Sequence, residues 1–103
     1  MVKYSLVRDF EKIVNLRTYF YSFDNNFLSV DDLDAIDYRA YKLNIKLELP
    51  KIIDYEDDDE VIYIKEISDL YNSDTDSIYE IYESFEEQIE NLYKERKENL
   101  LNG

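Results

Sequence analysis

The stretch Lys42-Leu43-Asn44-Ile45-Lys46-Leu47-Glu48-Leu49, stopped by Pro50, alternates without a fault. In an extended chain Leu43, Ile45, Leu47 and Leu49 point one way and Asn44, Lys46 and Glu48 the other, which is the pattern of a half-buried strand. Proline ends such a run because it has no N–H to give to a ladder. Val61-Ile62-Tyr63-Ile64-Lys65-Glu66-Ile67 reads as a second strand. The expected pairing is therefore 42–49 against 61–67 in a small antiparallel sheet.

Helical patterns lie on either side of this pair. Leu6, Val7, Phe10, Ile13 and Val14 recur at helical spacing, giving an N-terminal helix from about Ser5 to Leu16. The aromatic run from Arg17 to Phe23 is β-prone, so a third strand near 17–23 stands as the alternative to a longer first helix. Ser29 with Asp32 is an N-cap pattern, and Leu33, Ile36 and Ala40 mark a short middle helix. The C-terminal helix is the longest, over about 76–100. Ile78, Ile81, Tyr82, Phe85, Ile89 and Leu92 share one stripe of it, while Asp76, Glu80, Glu83, Glu87 and Glu90 share the opposite one. The fold class expected is α+β in one domain: three helices packed with a small antiparallel sheet.

Charge is distributed very unevenly. The segment from Asp54 to Tyr93 holds 15 acidic residues against a single lysine, Lys65, whereas the first 53 residues hold eight of each sign. The whole chain of 103 residues carries a formal net charge of −13. Its hydrophobic content of 45% and aromatic content of 16% are too high for a disordered acidic tail, so the acids belong to a folded scaffold. Between residues 66 and 93 there is no lysine or arginine. Solvated helix faces commonly interleave the two signs at i, i+4 spacing, and this one does not.

Most chemistries are excluded by missing residue types. Without histidine and cysteine there is no Ser/His or Cys/His nucleophile pair and no thiolate metal site. The only glycine is Gly103, so no glycine-rich phosphate loop can form. Glu95-Arg96-Lys97 mimics half of a nuclease carboxylate–lysine motif, but it sits on the polar end of a helix. Counting from Asp74 as the first position of a calcium loop puts Ile78, Tyr79 and Phe85 where an oxygen ligand, glycine and glutamate are required. No catalytic residue, metal ligand or cofactor site is expected. No apolar run approaches a membrane span, and so acidic a surface is repelled by anionic headgroups. A cytoplasmic protein of a bacterial or archaeal host cell is the expectation.

What remains is the acidic surface. From Asp76 to Glu90 are 14 residue steps, about 21 Å of helix axis at ~1.5 Å each. Six acids on that length, Glu86 included, give one charge per ~4 Å, against ~3.4 Å per phosphate along a DNA strand. Asp57, Asp58, Asp59 and Glu60 make a second dense patch, and Tyr55 and Tyr79 stand beside the two patches as stacking or packing anchors. Carboxylates can replace phosphates opposite Arg and Lys, and aromatic rings can replace bases. In composition and charge layout the chain resembles the small acidic nucleic-acid mimics that phages and mobile elements direct against host nucleases, the anti-restriction and anti-CRISPR inhibitors. The resemblance is one of physical type and rests on no shared motif. It implies a basic nucleic-acid-binding protein or nuclease as partner and no direct binding of nucleic acid. An immunity protein neutralising a basic nuclease toxin shares the same physics. A non-catalytic assembly subunit, or a homodimer joined through the aromatics, is the third alternative.

Overall fold

The computed structural model describes residues 4–50, 53–56, 60–63, 67 and 75–102. Its packed part consists of three helices: α1 (Tyr4–Phe20), α2 (Val30–Lys42) and α3 (Thr75–Asn102). The expected α+β fold is overturned, because no sheet joins the helices in the described core. Residues 43–50 form no ladder; they follow α2 as a turn and then an extended segment. Among the described residues a short two-stranded ribbon, β1 (Ile53–Glu56) against β2 (Glu60–Tyr63), pairs only with itself, Tyr55 opposite Val61 and Glu56 opposite Glu60. The partner of the 60–63 segment is thus 53–56, not 42–49.

The alternation in 42–49 is nonetheless real. Ile45 and Leu47 are buried, Leu43 and Leu49 half-buried, and Asn44, Lys46 and Glu48 exposed. Alternation reports that one face of an extended chain is covered; it does not report what satisfies the backbone. Here a side chain does so. The Glu48 N–H donates to Gln88 Oε1 at 2.8 Å, and Gln88 Nε2 donates to the Glu48 carbonyl at 2.8 Å. The Gln88 amide on α3 supplies the donor and acceptor that a neighbouring strand would have offered.

The turn before this segment explains why it leaves α2 cleanly. Asn44 takes a left-handed φ of 59°. The Ile45 N–H then reaches the Ala40 carbonyl at 2.8 Å and the Asn44 N–H the Tyr41 carbonyl at 3.0 Å, the two bonds of a Schellman cap. At the other end, Ser29 and Asp32 close a reciprocal capping box.

The third strand near 17–23 is also overturned. Helix α1 runs through to Phe20, and residues 21–23 turn. Local β propensity loses to burial, since Phe20 continues the stripe of Ile13 and Leu16, all three fully buried. Its ring stacks on Tyr82 of α3 with centroids 4.4 Å apart. Helices α1 and α3 are antiparallel: Phe20 meets Tyr82, Arg17 meets Glu90 and Phe10 meets Tyr93. Helix α2 adds Leu33, Ile36 and Ala40 to the core, and Ile81, Phe85 and Ile89 complete it from α3.

Candidate acidic interface on α3

The outer face of α3 is set by what its inner face buries. Ile81, Phe85 and Ile89 are fully buried, so residues half a turn away must face water. Glu80, Glu83 and Glu87 occupy those positions, all exposed and none in a described ion pair. They span seven steps, or about 10.5 Å of axis. Lys94, one heptad beyond Glu87 on the same line, closes the acidic ridge at its C-terminal end.

Glu90 behaves differently. Its Oε1 accepts from Arg17 Nε at 2.7 Å and from the Tyr21 hydroxyl at 2.8 Å. The Arg17 hydrogen bond holds the Glu90 carboxyl below the usual carboxylate range; partial burial opposes this and the Tyr21 bond adds to it. The Tyr21 hydroxyl is pushed up to about 12, first by desolvation and then by donating to Glu90. The Arg17 guanidinium lies 4.7 Å from the Tyr93 ring centroid and 5.2 Å from that of Tyr21. Glu90 is thus a clasp between α1 and α3, and its charge is largely spent inside the molecule.

The other expected contact residues divide three ways. Asp57, Asp58 and Asp59 lie outside the described residues. Asp76 falls within the first turn of α3, and Tyr55 and Glu60 are placed by backbone register on the ribbon. Tyr79 is half-buried and packs against the core, which makes it an anchor of α3 and not a free stacking platform. Glu86 is half-buried, one turn from Tyr82, and its charge helps burial to raise the Tyr82 hydroxyl. The structure therefore gathers Glu80, Glu83 and Glu87 on one ridge and withdraws Glu90 and Tyr79 from it.

Sequence reading did not anticipate the character of the face formed by α1 and α2. Arg39 lies 4.3 Å from the Tyr19 ring centroid, with Nη1 3.4 Å from Asn15 Oδ1, and Lys42 lies 5.4 Å from the Tyr38 ring centroid. Two shallow grooves of about 380 and 390 Å³ flank Arg39, and no acidic side chain lines either. Phe27 is 81% exposed and Tyr41 76%. The i, i+4 spacing of Tyr38 and Lys42 was visible in the sequence; the approach of Tyr19 to Arg39 depends on the crossing of α1 and α2 and was not.

Among the described residues no group of three acidic side chains is placed to hold a metal ion. No described helix is long and apolar enough to cross a membrane. No known protein family, curated protein or solved structure matches this chain.

Proposed function

We propose that this protein is a non-catalytic, stoichiometric inhibitor. It presents an acidic ridge to the basic nucleic-acid-binding surface of another protein, a nuclease or related factor, in the cytoplasm of a bacterial or archaeal host. The observation that carries the reading is the ridge of Glu80, Glu83 and Glu87, exposed and without ion pairs among the described residues, on a helix whose opposite face is fully buried. A helix anchored by Ile81, Phe85 and Ile89 fixes the backbone spacing of its carboxylates, so only their side chains, and not the backbone, must be ordered against a cationic groove. The withdrawal of Glu90 shortens the ridge, so on α3 the mimicry rests on three carboxylates, with Asp57, Asp58, Asp59 and Glu60 as the second acidic patch of the sequence.

Capture from a bacterial lysate on immobilised protein tests this. Retained proteins are expected to bind nucleic acid, to be released by added duplex DNA or RNA, and to be lost as ionic strength rises. The variant Glu80→Lys/Glu83→Lys/Glu87→Lys should retain none of them. Capture that neither nucleic acid nor the triple reversal disturbs overturns the reading.

A further inference from the structure

The apolar stripes of α1 and α3 run on past the described elements that cover them. On α1, Leu6, Ile13 and Phe20 stand seven residues apart and so point in nearly one direction. Ile13 and Phe20 are fully buried; Leu6 is only half-buried. On α3, Phe85 and Ile89 are fully buried, while Leu92, Arg96 and Leu100 are half-buried. The contacts that cover the core explain the gradient. Arg39 of α2 meets α1 at Asn15 and Tyr19, and Glu48 of the extended segment meets α3 at Gln88. Beyond Ile13 and Ile89 the two helices continue as a stem. Phe10 against Tyr93 (5.5 Å between centroids) and Arg96 Nη1 on the Asp9 carbonyl (2.9 Å) hold it together. Leu6, Val7 and Leu100 lie outside the core cluster, and Leu101 is 75% exposed.

Charge says what can cover this seam. Residues 4–13 and 92–102 contain Arg8, Lys12, Lys94, Arg96 and Lys97 against Asp9, Glu11, Glu95 and Glu98, a net of +1 in a chain of −13. Approach through the α3 ridge of Glu80, Glu83 and Glu87 sets like charges against each other. Approach stem to stem meets a mixed, nearly neutral surface with an apolar centre.

We infer that the stem is a homodimerisation surface, on which two copies pack about a two-fold axis and close their open seams into a four-helix bundle. An isologous contact must be self-complementary, and the stem meets this with Leu6, Val7 and Leu100 at its centre and both signs of charge around them. The stem is only about 14 Å long, nine steps from Tyr4 to Ile13, which places the contact at the small end of specific interfaces. A contact this small makes a reversible dimer. Glu80, Glu83 and Glu87 lie outside the stem and stay open to a partner. Repulsion between the two acidic bodies opposes dimerisation, and salt relieves it. Self-association therefore strengthens with salt, opposite in sign to the partner encounter proposed above, from which it is independent.

Sedimentation equilibrium across about 10 to 500 µM, at roughly 0.05 and 0.5 M salt, tests this. The mass should rise from the 12.5 kDa monomer towards twice that, with a dissociation constant at least about threefold tighter at the higher salt. Leu6→Glu/Leu100→Glu should remain monomeric with unchanged helical circular dichroism; if it loses helix, Val7→Glu takes its place. Glu80→Lys/Glu83→Lys/Glu87→Lys should tighten the dimer while abolishing partner capture, so the two proposals fail separately. A single monomeric species under every condition overturns the inference. So does association that salt weakens, or a stem variant that dimerises like the wild type.

Discussion

Replacing Gln88 with alanine removes both bonds that hold the 45–49 segment to α3. The Glu48 N–H loses its acceptor and the Glu48 carbonyl loses its donor, each at 2.8 Å in the native fold. An intramolecular hydrogen bond contributes about 0.5–1.5 kcal/mol net, so the pair has a ceiling of about 3 kcal/mol. Glu48 is exposed, however, and water can reach its freed backbone groups, which puts the expected loss at about 1–2 kcal/mol. For a domain of this size, that lowers the thermal midpoint by roughly 4–16 °C. Urea unfolding followed by circular dichroism reads the same loss as a lower midpoint at unchanged slope. Gln88→Glu should also destabilise, because a carboxylate still accepts from the Glu48 N–H but cannot donate to the Glu48 carbonyl and repels it. If Gln88→Ala falls within about 0.3 kcal/mol of wild type, the segment is not held by this clasp. Groups other than the Gln88 amide must then satisfy the Glu48 backbone.

Glu90→Gln should lower stability at neutral pH by about 0.5–1 kcal/mol, a small figure because the Arg17 and Glu90 side chains keep 40% and 28% exposure. Glu90 titrates lower in the folded state than in the unfolded one, so its contribution is complete above the unfolded value and is lost as pH falls through the folded one. Denaturation midpoints of the two proteins should accordingly converge in acid. Tyr21, held up to about 12, and Tyr82, raised by burial, should both titrate late in an ultraviolet tyrosine titration, and Tyr21→Phe should remove one tyrosine's share of that late absorbance. The raised value of Tyr21 also means that stability present below the unfolded tyrosine range is lost as pH climbs from ~10 to about 12. Glu83→Lys should stabilise the fold by about 1 kcal/mol, read as a higher thermal midpoint at low salt.

The helices were legible because their evidence is local. Ser29 with Asp32 announces the start of α2, and the stripe of Ile81, Phe85 and Ile89 announces the buried face of α3. The sheet was misread at 42–49 because period-two burial is a property of any extended chain laid on a core. The decisive partner, Gln88, is 40 residues away from Glu48. The same limit hid the end of α1, where Phe20 is helical because Tyr82 is there to stack on it. At the candidate interface the acidic register on α3 could be read from spacing, and Glu80, Glu83 and Glu87 are exposed where expected. The capture of Glu90 could not, because Arg17 lies 73 residues away and is brought near only by the antiparallel pairing of α1 with α3.

The Glu83 substitution separates a functional ridge from a merely solvated one. Glu83 has Glu80, Glu86 and Glu87 at i−3, i+3 and i+4, three like-charge neighbours on one helix. Each such pair costs about 0.2–0.5 kcal/mol, and a lysine at 83 turns all three from repulsive to attractive. The nominal gain is about 1–3 kcal/mol, reduced towards 1 by screening at an exposed site. A stabilising change reached by one substitution is one that selection would be expected to have taken if stability and solubility alone shaped this face. Uncorrected repulsion on a ridge with a fully buried reverse side therefore supports a use for the acids outside the molecule. If Glu83→Lys proves neutral or destabilising at low salt, no stability is being forgone, and the charge pattern ceases to favour a partner.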